Sequence, residues 1–174
     1  FYTLQTVSSD TYANTFYTGS ISLTFNGIAD SATAASFVFT PGLGKVASLD
    51  TKLEDIDKFW DASGNFLLKD PKTITLIQGD GKQTIITLFS TDTIKDVRDK
   101  LNNAIATGLG QRDYITGAEM DKFVNYVTKA DSTGMETVEG TFVVKSLIAG
   151  DSGKINFIGE EALINALSLT TIQN

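Results

Sequence analysis

Cysteine and histidine are both absent from the chain. Without Cys there are no disulfides, no thiolate metal sites and no Cys nucleophile, though a secreted protein can lack Cys as readily as a cytosolic one. Without His the commonest general base and the commonest transition-metal ligand are gone. Ser-His-Asp triads, HExxH zinc sites and His-based facial triads are therefore excluded. Proline is scarce at 2 residues, against 15 glycines, a balance that suits hairpins and tight turns. Basic residues are outnumbered 14 to 21, giving a net charge of −7. No basic patch is evident, so nucleic acid and anionic membrane surfaces are poor partners. No apolar run of about 18 residues is present either, so no transmembrane helix is expected. Phe1 opens a mixed polar stretch with no basic n-region. The expectation is a piece of a longer polypeptide, or a mature chain.

What is present suffices for a folded domain. The 174 residues are 41% hydrophobic, and a chain of this size can bury roughly two thirds of its unfolded surface. Residues 1–20 are rich in Ser, Thr and Tyr and read as a connecting arm or an edge strand. Gly19 to Phe25 alternates, with Ile21, Leu23 and Phe25 on one face. Asn26-Gly27 then signals a turn. Ala35 to Thr40 reads as a further strand, closed by Pro41-Gly42. From Ser48 to Trp60 the period lengthens: Leu49, Leu53, Ile56, Phe59 and Trp60 share a helical face, which predicts a helix ended by Asp61-Ala62-Ser63-Gly64-Asn65.

Thr73 to Phe89 is the clearest hairpin, with β-branched arms around Gly79-Asp80-Gly81-Lys82. Thr91 to Ala106 is the clearest helix, with Ile94, Val97, Leu101, Ala104 and Ile105 inward, Asp92 or Thr93 as cap, and Gly108 past the end. Lys100 falls outside that stripe. A shorter helix is predicted over 118–130, with a Thr116/Glu119 capping box and Met120, Phe123, Val124 and Val127 inward. A second hairpin, 141–148 with 154–158 around Gly150-Asp151-Ser152-Gly153, precedes a last helix over 160–169. Hairpin, Gly-Asp turn and helix thus occur at 73–106 and again at 141–169. The predicted class is α+β, with antiparallel hairpins each followed by a covering helix, in repeated β-β-α units. Residues 1–47 form a Ser/Thr-rich strand region leading in, and 48–174 the main domain.

Several clusters carry candidate chemistry. Asp55, Asp57, Asp61, Ser63 and Asn65 gather oxygen ligands of the kind calcium takes. Counting from Asp61, however, Lys72 stands twelfth, where an EF-hand places its bidentate Glu. A helix end and a turn are expected instead. Gly79-Asp80-Gly81-Lys82 resembles half a phosphate loop but joins two strands, so no helix N-terminus faces an anion. Glu160-Glu161 could be an acid-base pair, yet acidic residues belong in a first helical turn, where they complement the dipole. Trp60 could stack a sugar, but its spacing from Ile56 assigns it to the core. Ser and Thr at 1–40, 84–93 and 168–171 are O-glycan acceptors or solvent-facing strand residues, and there is no Asn-x-Ser/Thr sequon. No catalytic, cofactor-binding or metal residue is assigned, and no cofactor is expected.

Three stretches resemble the variable middle region of bacterial flagellins. They are Thr51-Lys52-Leu53 through Leu68; Thr73-Ile74-Thr75 through Lys82, with Asp92-Thr93-Ile94 opening into Lys100-Leu101-Asn102-Asn103-Ala104-Ile105-Ala106; and Thr141-Phe142-Val143-Val144 through Phe157, with Glu161-Ala162-Leu163-Ile164-Asn165-Ala166-Leu167. The last two are similar to the flagellin hook-IN repeat. The resemblance covers roughly 49–173. It implies a structural, non-enzymatic outer domain of an extracellular flagellar filament, whose partners are other flagellin subunits reached through the parent chain. The long heptad-patterned terminal helices that build the filament core in that family are not seen in this sequence. The alternative is a glycan-binding or adhesin-like module of a bacterial surface protein, with host or surface glycans as ligands.

Overall fold

The computed structural model describes residues 2–4, 12–17, 20–25, 46–114, 123–128 and 139–169, with backbone only for 2–25 and for 113–114. Near the N-terminus β1 (Tyr2–Leu4), β2 (Tyr12–Tyr17) and β3 (Ser20–Phe25) form an antiparallel sheet in that order. Its register pairs Tyr2 with Phe16 and Tyr17 with Ser20. The strand expected over 35–40 lies outside the described residues.

The main sheet is built from β4 (Lys72–Gln78), β5 (Gln83–Leu88) and β8 (Ile155–Gly159), ordered β5-β4-β8 and antiparallel throughout. Side chains alternate across it. Ile74, Leu76, Ile86, Leu88 and Ile155 are buried on one face. On the other, Thr75 stands in register between Ile85 and Ile158, which are 63% and 54% exposed.

Helix α1 (Ile94–Asn103) covers the buried face and continues as one π turn, Ala104–Gly108. Ile94, Val97, Leu101, Ala104 and Ile105 are all buried, as their spacing requires. Thr93 is the cap. Its hydroxyl accepts from the Asp96 N–H, and the Asp96 carboxylate accepts from the Thr93 N–H. Helix α2 (Glu161–Leu167) buries Leu163, Ala166 and Leu167. The fold is mixed helix and antiparallel sheet.

Three sequence expectations are corrected. The helix over 48–60 is instead two 3-10 turns, Leu53–Asp55 and Asp57–Phe59. Leu53, Ile56 and Phe59 recur every three residues, the 3-10 period, and all three are fully buried. Just before them the chain serves α1: the Leu49 and Thr51 carbonyls accept from the Lys95 and Ile94 N–H groups. First-turn amides need such acceptors.

Within the expected helix 118–130, Val124–Tyr126 is a strand, β6, paired with β7 (Phe142–Val144). Val124 and Tyr126 are buried and Asn125 is exposed, a period of two. The Asn102 side-chain oxygen on α1 accepts from the Phe123 and Val124 N–H groups. Tyr126 meets Phe142 edge-on at 5.2 Å and donates its hydroxyl to the Ala47 carbonyl at 2.6 Å. The Thr116/Glu119 capping box lies outside the described residues.

The second hairpin is not formed. β7 pairs with β6, whereas β8 pairs with β4. The two Gly-Asp turns are neighbours rather than repeats: the Gly79 N–H donates to the Lys154 carbonyl at 2.8 Å.

Candidate functional site

The 3-10 turns that bury Ile56 and Phe59 leave Trp60 in extended backbone and 45% exposed, not in the core. The three-residue row 53, 56, 59 passes Trp60 by, but that spacing fits one helical face as well as successive 3-10 turns, so the sequence did not place the ring outside. The indole is nonetheless fixed. Its Nε1–H donates to the Glu54 carbonyl at 2.8 Å, and Phe66 packs on the ring at 5.2 Å between centroids. A backbone bridge also ties Trp60 to Phe66.

Between them lies a loop organised by Asp61. Its Oδ1 accepts from the Ser63 and Asn65 backbone N–H groups at 2.8 and 2.9 Å, and its Oδ2 from the Asn65 amide at 3.0 Å. Gly64 takes a positive φ of 80° that the turn requires. The Asn65 N–H, then its side chain, hold the Asp61 carboxyl below the usual carboxylate range.

These residues form one wall of a cleft of about 330 Å³, lined by Lys58, Trp60, Asp61 and Leu67. The other wall is α2, through Ala162, Asn165 and Ala166. Burial pushes the Lys58 amine down to about 8, against an opposing contribution from Asp57. The cleft thus combines a rigid aromatic surface, a carboxylate with spare acceptor capacity, an exposed amide and a partly desolvated amine. That set can hold a small polar molecule with one apolar face.

The other candidates do not converge. Asp61 accepts from its own loop through both oxygens, and Asp57 accepts from the Lys58 N–H at 2.8 Å. Among the described residues no three acidic side chains group to hold a metal. Gly79–Lys82 is a hairpin turn closed by the Gln78 N–H to the Lys82 carbonyl at 2.8 Å. Glu160 is ion-paired with Lys72, and Glu161 sits in the first turn of α2. Among the described residues no helix is long and apolar enough to cross a membrane. No family model matches the chain, and no curated protein matches it.

Proposed function

We propose that this chain is a structural, non-catalytic outer domain of a bacterial flagellar filament subunit, displayed outside the cell. The observation that supports it is how the flagellin-like stretch 73–106 folds. It is one hairpin leading directly into one helix, β4-β5-α1, and Val97, Leu101 and Ile105 all turn inward. A decorating domain needs a core closed within itself, with its outside free. Its net charge of −7 keeps a densely displayed surface soluble. Contacts with other subunits run through the parent chain. An antibody raised against this chain should label filaments along their length, and export of the parent protein should stop in cells lacking the flagellar export apparatus. Unlabelled filaments, or export that continues without the apparatus, overturn the reading.

A second reading, a glycan-binding module of a surface protein, is favoured by one observation: Trp60 stands exposed on the rim of a cleft with polar groups beside it. A glycan array with the whole chain tests it.

A further inference from the structure

Resting on the glycan-binding reading, we infer that the cleft between Trp60 and α2 is a subsite for a single neutral pyranose ring, with the sugar's C–H face on the indole and its hydroxyls on Asp61 and Asn165. A pyranose carries an apolar C–H face and a rim of hydroxyls that both donate and accept. The cleft presents the matching set. Trp60 is already immobilised by its hydrogen bond to the Glu54 carbonyl and by Phe66. Little side-chain entropy therefore remains to be lost when a ring stacks on it. Asp61 Oδ2 takes one hydrogen bond, from Asn65, and a carboxylate oxygen can accept more than one. Asn165 is exposed on α2 and faces the cleft, and an amide supplies donors and an acceptor together.

Size and charge narrow the ligand. A cleft of about 330 Å³ is at the low end of small-molecule sites, roughly 300–1,000 Å³, so it suits one ring. The small side chains of Ala162 and Ala166 on α2 leave that space open. Asp61 is ionised and the chain is acidic overall. The Lys58 ammonium beside them has its Nζ buried and Asp57 next to it. Uronic and sialic acids are therefore disfavoured, and neutral hexoses and N-acetylhexosamines are favoured.

Trp60 is the chain's only tryptophan, so emission excited at the red edge of the absorption band, where tyrosine does not absorb, reports on this cleft alone. The whole chain is titrated with glucose, galactose, mannose and N-acetylglucosamine, and with glucuronate and N-acetylneuraminate as charged controls. At least one neutral sugar should give a saturable emission change and protect Trp60 from acrylamide quenching, with a dissociation constant on the order of millimolar. Asn165→Ala should weaken that binding by roughly three- to tenfold, the worth of one or two hydrogen bonds. Ala162→Leu, which fills the cleft and leaves every polar contact in place, should abolish it. Emission unmoved by every neutral sugar, charged sugars binding as well as neutral ones, or an Ala162→Leu chain that binds normally each overturn the inference. The glycan array separates the two levels. Binding that persists in Trp60→Ala and Ala162→Leu removes the cleft but keeps the glycan-binding module. An array blank for the unaltered chain removes both.

Discussion

Lys100 lies beside Leu101 on α1, and a helical wheel sets it outside the apolar stripe. Its stem instead runs back over the sheet. The ammonium donates to the Thr87 carbonyl at 2.9 Å and to Asp92 Oδ2, and stands 4.7 Å from the centre of the Phe89 ring. Asp92 is only 7% exposed, so removing its cation leaves a buried carboxylate short of a partner. Lys100→Ala should therefore cost about 1–3 kcal/mol, not the few tenths typical of an exposed lysine. Leu101→Ala should cost about 2–5 kcal/mol through lost burial and a cavity. Urea titrations of both variants measure these values. Gly79 is constrained by proximity: a Cβ there would fall 1.7 Å from the Asp151 carbonyl oxygen. Gly79→Ala should force the two turns apart and lower the melting temperature by several degrees, whereas Lys69→Ala on the exposed surface should not move it. Lys58 has its own signature. Its amine is held at about 8 in the folded chain against an ordinary 10.5. Between those values the unfolded chain keeps a proton that the folded chain releases, so this group's contribution to stability improves as pH rises through the window. Lys58→Met should be more stable than the parent at neutral pH, and thermal scans should show the gap shrinking as pH climbs from 8 towards 10.5.

At the scale of elements, α1 is the part most legible in the sequence, because its signals agree. The stripe, the Thr93 cap and the acidic first turn all point to one helix. Thr93→Ala should cost about 1 kcal/mol. Asp96 is held below the ordinary carboxylate value of 3.8, first by the Thr93 N–H and then by its hydroxyl. A depressed carboxyl stabilises the fold while it is ionised, and that share is lost as pH falls through its folded value. The stability gap between the parent and Asp96→Asn should therefore be widest near neutral pH and close in acid, as circular dichroism melts can follow. The hairpin β4-β5 was equally readable, since β-branched arms and a glycine turn are local features. Residues 48–60 misled because three-residue spacing fits one helical face as well as it fits successive 3-10 turns. What decided between them was outside the segment: α1 needed acceptors for its first amides, and the Leu49 and Thr51 carbonyls filled that need. Val124–Tyr126 misled for the same reason, its partner strand lying well downstream at 142–144.

Among the described residues the acidic side chains are spread over separate turns, and three of these turns hold an Asp that interacts within its own loop. Asp61 serves Ser63 and Asn65, Asp80 accepts from the Lys82 N–H, and Asp151 pairs with Lys154. EDTA should therefore leave the melting temperature unchanged. A drop of several degrees that calcium reverses would show a bound ion stabilising by mass action and would return Asp55, Asp57 and Asp61 to consideration as ligands. Of the candidate site, the sequence showed the Asp61–Asn65 turn but assigned Trp60 to the core, and it did not show that both face α2, about a hundred residues downstream. By itself the sequence determined the mixed α and β class, the hairpin expected over 73–89, two of its four expected helices (91–106 and 160–169), the inward stripe of α1 and the absence of His and Cys chemistry. Those follow from local propensity, short-range periodicity and composition. Only the tertiary structure decided that β8 joins β4 rather than β7, that the two Gly-Asp turns touch, that Trp60 is outside, and that Lys100 is tied down. Each of these depends on which distant backbone or side chain satisfies a hydrogen bond or closes an apolar face, and the spacing of residues along one segment carries no record of that partner.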